Sequence, residues 1–232
     1  MSVPYYRSEY KHVISFGAKQ ALQSRLEKIL LKDENAQRLP YLVKSLYFDS
    51  ANDQALGQCL AGEPNREKFR LRYYDHNTGF IRLEKKVKNG QRGYKLSTRV
   101  SMDEARQLIQ GDLAFITQRN DQLLLDFALT ARMSLLSPKI VMDYLREAYV
   151  YQVENTRVTI DYHMRSYLCA GDYAQGFFSD NCPYVAEDHG KYLLEVKFDR
   201  YLPEFIRDLV QIGETSGTSN SKYVLGRTLN RM

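Results

Sequence analysis

The sequence predicts an α+β fold: an antiparallel β-barrel of about eight strands, with amphipathic helices packed outside it. Three observations carry this. Strand-like alternation dominates the 232-residue chain, and four amphipathic stretches interrupt it. The polar side of one strand candidate after another is crowded with charges, most of them basic.

The strand candidates are residues 7–14, 42–49, 68–74, 79–88, 93–100, 139–150, 156–163 and 191–198. Turn chemistry separates several of them. The segments DHNTG (75–79) and KNGQRG (88–93) stand where hairpin loops belong, so residues 68–100 read as an antiparallel meander. The first helix candidate, 18–31, places Leu22, Leu26, Ile29 and Leu30 on one stripe. Ser101 with Glu104 three residues on forms a capping box that opens a second. Asn120 is a candidate cap for a third running through Leu123, Leu124 and Phe127. The fourth has Pro203 in its first turn. Each helix is apolar on one side only, so each is expected to cover a sheet. Residues 213–221 and 170–190 read as loops. No long linker, low-complexity tract or internal repeat divides the chain, so a single domain spanning 1–232 is expected.

The net charge of +5 suggests an anionic partner without naming one. The first sixteen residues lack the apolar core of a signal peptide, and no apolar run approaches the length that crosses a bilayer. A cytoplasmic location is expected, with any membrane association supplied by a partner. Cys59, Cys169 and Cys182 are scattered and read as free thiols. His12, His76, His163 and His189 show no metal-ligand spacing.

The charges carry the functional argument. Lys68, Arg70 and Arg72 share one strand face; Arg82, Glu84, Lys86 and Lys88 share the next; Lys95, Ser97 and Arg99 the third. Arg7, Glu9 and Lys11 share another, as do Tyr144 and Arg146, then Arg157, Thr159, Asp161 and His163, then Glu195 and Lys197. Like charges on neighbouring strands repel. One reading is an open sheet with a wet, charged face. The other closes the sheet so that the charges line a lumen, which an eight-stranded barrel leaves just wide enough for one ligand. Arg suits multidentate phosphate recognition, and the interspersed carboxylates Glu9, Glu84 and Glu195 suit a divalent metal joined to phosphate. The lumen is the favoured reading.

Nine short motifs, in order along nearly the whole chain, resemble the VTC domain. They are RSEYK (7–11), SLYFDS (45–50), KFRLRYY (68–74), RLEKK (82–86), GYKLS (93–97), YLR (144–146), NTRVTID (155–161), LLEVKF (193–198) and SKYVLG (221–226). That is the polyphosphate polymerase domain of the triphosphate tunnel metalloenzymes, a CYTH-like superfamily. The resemblance implies that Arg70, Arg72, Lys86, Arg146 and Arg157 hold the reacting phosphates. It implies further binding by Lys11, Lys95, Lys197, Ser221 and Lys222, with Tyr47 on the same faces. It assigns a metal, Mn²⁺ or Mg²⁺, to Glu195, with Glu9 and Glu84 as further carboxylates. It also implies ATP or another nucleoside triphosphate as donor and polyphosphate or pyrophosphate as partner. A lysine that often stands two residues before the serine is replaced here by Ser219.

Tunnel triphosphatases open with glutamates on alternate positions of the first strand, ExExK. Here the first is Arg7, an exchange that favours polymerase and is expected to add phosphate affinity. Hydrolysis through Glu9 and Glu84, and a non-catalytic polyphosphate-binding module, remain alternatives. Nucleic acid is not expected as a partner, because few aromatic platforms accompany the cations. Oligomeric state and preferred nucleotide are not legible.

Overall fold

A computed structural model describes residues 6–33, 39–90, 92–167, 171–179, 184–188, 190–211, 216–217 and 221–229. Cys169, Cys182, His189 and Ser219 lie outside the described residues. The chain begins with β1 (Ser8–Ile14), α1 (Phe16–Ile29), β2 (Leu31–Lys32), β3 (Tyr41–Asp49) and α2 (Gln54–Leu60). The meander follows as β4 (Asn65–Tyr74), β5 (Ile81–Asn89) and β6 (Arg92–Val100). Then come α3 (Met102–Gln110), α4 (Gln122–Ser134), β7 (Ser137–Tyr151) and β8 (Thr156–Tyr167). The chain ends with α5 (Tyr173–Phe178), β9 (Tyr184–Asp188), β10 (Tyr192–Phe198), α6 (Glu204–Val210), β11 (Ser216–Gly217) and α7 (Lys222–Leu229).

The strands make one antiparallel sheet in the order β11-β1-β10-β8-β7-β3-β4-β5-β6, with β2 beside β7 and β9 beside β8. The sheet curls until its two ends meet. Closure is by a single antiparallel bridge, where Arg7 and Gly93 exchange backbone hydrogen bonds of 3.1 and 3.3 Å, rather than by a continuous ladder. A Cβ at Gly93 would stand 2.9 Å from the Val87 carbonyl oxygen, so this crossing needs a glycine.

Two apolar layers cover the outside. Leu46, Phe48, Phe69, Leu71, Ile81 and Leu83 of the meander side pack against α3 and α4 through Leu108, Leu124 and Phe127. Val158, Ile160, Leu194 and Val196 pack against α1 and α6 through Leu22, Leu26 and Ile206. Both layers come from the alternate positions left over once the charged faces turn inward, which is why each helix needs only one apolar stripe. Ser101 and Glu104 form the anticipated capping box. The cap of α4 is Asp121 rather than Asn120, since its carboxylate accepts from the amides of Leu123 and Leu124. Pro203 caps α6 from just outside its first turn. Segment 170–190, read as loop, contributes α5 and β9.

Candidate functional site

Strand register sets the charged residues in rows. Lys68, Lys86 and Lys95 are cross-strand partners; so are Arg70, Glu84 and Ser97, and then Arg72, Arg82 and Arg99. On the far wall, β1, β10 and β8 place Glu9 beside Lys197 and Arg157, and Lys11 beside Glu195 and Thr159. The walls are near enough to touch: Lys86 Nζ lies 3.1 Å from Glu9 Oε2, although β5 and β1 are not sheet neighbours. Arg157 reaches across β7 to donate to the Tyr41 hydroxyl of β3 at 3.0 Å. The cations therefore converge on an enclosed face.

Carboxylates organise them. Both oxygens of Glu84, which is fully buried, are engaged: Oε2 by Arg70 at 2.7 Å and Oε1 by Lys95 at 2.6 Å. Asp161 accepts two parallel bonds from Arg146, at 2.6 and 2.7 Å, and a third contact from Lys222 at 2.6 Å. Arg72 donates to Ser45 Oγ at 2.9 Å and to the Tyr144 hydroxyl at 3.1 Å, and among the described residues no carboxylate is bonded to it. Arg70 also reaches the Tyr47 hydroxyl, and Arg157 pairs with Asp33 at 2.6 Å.

The electrostatics follow. Burial pushes the carboxyls of Glu84, Glu195 and Asp161 up, but the surrounding cations outweigh it and hold all three below the usual carboxylate range. For Glu84 these are Arg70, Arg72 and Lys95; for Glu195, Lys222, Lys197, Lys11 and Arg146. Burial and the neighbouring Lys11 push the Lys86 ammonium down to about 7, against the pull of Glu9. Burial would raise the Tyr47 phenol, yet Arg70 and Arg72 bring it down to about 8.

The end of the lumen beyond the lysine row is closed by α7, which the sequence reading passed over as a helix. Its first residue, Lys222, bonds Glu195 Oε1 at 2.8 Å, and the preceding Ser221 accepts from Lys68 Nζ at 3.0 Å. Gly226 lets α7 lie directly on the Met142 side chain, where a Cβ would collide with the thioether. Tyr223 and Val224 pack beside Tyr47 and Ile140.

The structure thus brings together all fourteen residues selected from the sequence: Lys11, Arg70, Arg72, Lys86, Lys95, Arg146, Arg157, Lys197, Ser221, Lys222, Tyr47, Glu9, Glu84 and Glu195. It adds Lys68, Asp161, Thr159 and Tyr144. Period-two alternation puts these four on the inward faces; buried or part-buried partners single out Lys68, Asp161 and Tyr144, and an unbonded buried hydroxyl singles out Thr159. Two expectations fail. Arg7 is turned to Asp199 at 3.3 Å and to the Asn155 carbonyl, so it is spent on structure. His163 leaves the lumen face, because a bulge between β7 and β8 gives it a positive φ of 50° and sends it out to Glu187 at 3.1 Å.

Among the described residues, three buried polar atoms on the lumen faces make no hydrogen bond: Arg157 Nε, Thr159 Oγ1 and Glu9 Oε1, the last with only a 3.3 Å ionic contact from Lys197. Buried polar groups are ordinarily satisfied, so such a cluster is what a site shaped for a polar ligand leaves behind. For a divalent metal, Glu195 and Glu9 fit best. Both are hard oxygen donors standing side by side, with Lys11 and Lys197 bridging them at 3.2–3.7 Å. Among the described residues, Glu84 makes no ionic contact with that pair's bridging lysines and is bonded instead to Arg70 at 2.7 Å and Lys95 at 2.6 Å. Among the described residues no cluster of three metal-ligating side chains occurs, so substrate oxygens would complete the shell.

A curled antiparallel sheet enclosing paired cations, with helices on its outer face, is the architecture of the triphosphate tunnel proteins. Two solved structures share the fold. A proposed adenylyl cyclase from Hippeastrum, described as having a dominant triphosphatase activity, is 15% identical with a TM-score of 0.56, covering 96% of this chain and 95% of its own. A proposed adenylate cyclase from Bacillus halodurans is also 15% identical, with a TM-score of 0.50 and coverage of 82% and 81%. The VTC domain matches residues 6–230, and the chain belongs to that family. A search of curated proteins finds no match. Among the described residues no helix is long and apolar enough to cross a membrane.

Proposed function

We propose that this protein is a metal-dependent polyphosphate polymerase. It transfers the terminal phosphoryl group of a nucleoside triphosphate, in the first instance ATP, onto the end of a polyphosphate chain. One observation carries the reading: cations from both walls converge on an enclosed face beside the buried, unbonded Arg157 Nε and Thr159 Oγ1. Family membership and the tunnel fold support a triphosphate as the occupant.

Phosphoryl transfer asks the protein mainly for positioning and charge stabilisation. Arg70, Arg72, Lys86, Arg146 and Arg157 grip the donor's phosphate oxygens. Glu84 and Asp161 hold Arg70 and Arg146 in fixed orientations, so those forks are aimed before substrate arrives. The acceptor's terminal phosphate oxygen, already ionised, forms a bond to the γ-phosphorus as the bridge to the β-phosphate breaks. The nucleoside diphosphate leaves with that bridging oxygen, so no strong general base is required. Glu195 and Glu9 would hold Mn²⁺ or Mg²⁺, which when bound supplies positive charge to phosphate oxygens. Lys11, Lys95, Lys197, Lys222 and Ser221 extend the grip along the chain.

Hydrolysis of triphosphate has one observation in its favour. Glu9 Oε1 carries no hydrogen bond, only a 3.3 Å contact with the Lys197 ammonium, and a carboxylate oxygen so placed can orient a water molecule. Incubation with ATP and Mn²⁺, primed with pyrophosphate and run on a gel, separates the readings. A ladder of long polyphosphate supports the polymerase, orthophosphate alone the hydrolase, and tight binding without turnover a binding module.

A further inference from the structure

The arginine row continues past the part of the lumen that grips the donor phosphates. Arg72 on β4 faces Arg82 on β5, which faces Arg99 on β6, so three guanidinium-bearing residues stand abreast across about 10 Å of sheet. The row lies at the opposite end of the meander from the lysine row that meets Ser221. Among the described residues, neither Arg82 nor Arg99 makes an ion pair, whereas Arg70, Lys86, Lys95, Arg146, Arg157, Lys197 and Lys222 each have a carboxylate.

Both arginines are held in place without being neutralised. Their guanidinium carbons lie 4.7 and 5.2 Å from the centre of the Phe80 ring, and Arg99 Nη2 donates to the Gly79 carbonyl at 2.8 Å. Arg99 borders a cavity of about 510 Å³, together with Gly79, Ser101 and Arg119. The one carboxylate among its described lining residues, Glu104, is spent: one oxygen takes Arg119 and the other the Ser101 amide. With like charges abreast and the nearby acid already engaged, an anion is the missing counterpart.

We propose that Arg82 and Arg99 form an outer track for an extended phosphate chain, leading from Arg72 in the tunnel to the open cavity beside Arg119. The proposal rests on the polymerase reading for its ligand, linear polyphosphate, but not on turnover. A stacked nucleic acid suits the track poorly, because both arginines already occupy the Phe80 ring. A chain long enough to leave the tunnel feels the track; a triphosphate held inside does not.

The test compares the Arg82→Gln/Arg99→Gln double variant with the unaltered protein, using two probes titrated by calorimetry at several salt concentrations. The probes are tripolyphosphate and a medium-chain polyphosphate. Medium-chain affinity is expected to fall about tenfold or more in the double variant, because charged hydrogen bonds are lost. Its salt dependence should become shallower, and tripolyphosphate affinity should hold. A charge-preserving Arg82→Lys/Arg99→Lys variant should keep most of the medium-chain affinity, and melting curves check that all three proteins fold. Unchanged medium-chain binding, or an equal loss for both probes, overturns the track. Protein that binds long chains through these arginines yet makes none from ATP would sink the polymerase reading and leave the track standing.

Discussion

Replacing Lys86 with arginine should remove a proton that the protein takes up when triphosphate binds. Burial and Lys11 hold the Lys86 ammonium near 7, so at about pH 8 roughly nine-tenths of it is neutral in the ligand-free protein. A triphosphate lying along the lysine row supplies negative charge and restores the ordinary lysine range, which requires proton uptake. The expected uptake at Lys86 is about 0.9 proton near pH 8, about half a proton near pH 7 and about 0.1 near pH 6. These are upper bounds, because the side chain keeps 39% of its surface exposed and lumen water screens part of the effect. Arginine stays charged throughout and takes up none. Calorimetric titration of tripolyphosphate in two buffers of different ionisation enthalpy reads the proton count directly. Tyr47, near 8, titrates in the same window but is present in both proteins and cancels in the difference. Identical proton counts for the two proteins across this range would refute the placement of Lys86 in a desolvated anion site.

Glu84→Gln leaves the buried Arg70 without its carboxylate, so a loss of roughly 3–5 kcal/mol is expected in chemical denaturation. Tripolyphosphate should recover more stability in that variant than in the unaltered protein, as it supplies the missing anion. Asp143→Asn breaks a part-buried pair on the opposite side of the sheet, where Asp143 holds Arg165. It should cost less stability, because water screens the exposed end of Arg165, while leaving triphosphate affinity of the folded protein unchanged. Gly226→Ala forces α7 away from Met142 and displaces Lys222, so it should weaken tripolyphosphate binding with little loss of secondary structure by circular dichroism. Glu84 and Glu195 have folded-state pKa values below the ordinary 4.5. Their stabilisation is therefore complete above about pH 4.5 and is lost as pH falls, and melting temperatures measured against pH should drop through that acid window.

The inward and outward faces were legible because a half-buried strand alternates with a period of two, and that rule holds from Lys68 to Arg99 without interruption. It fails at His163, where a bulge resets the alternation, a backbone event that composition does not announce. The site list was legible as a set of charges but not as a set of pairs. Lys197 and Glu195 stand two apart in sequence, yet Glu84 finds Lys95 across a hairpin and Asp161 finds Lys222 from the other end of the chain. The expected self-repulsion of a bare basic lumen is accordingly softened by Glu9, Glu84, Asp161 and Glu195. Helix α7 went unseen because it is a single short segment carrying a glycine, and its packing on β7 supplies what propensity does not. Arg7 shows the remaining limit: its charge was read correctly and its direction was not, since Asp199 lies far away in sequence.

The most direct measurement is a crystal structure with tripolyphosphate bound. The phosphates should lie between the walls, within hydrogen-bonding distance of Arg70, Arg72, Arg146 and Arg157, with the Thr159 hydroxyl newly satisfied. Phosphate density confined to the outer surface, with those four side chains still bonded only to protein, would contradict the account.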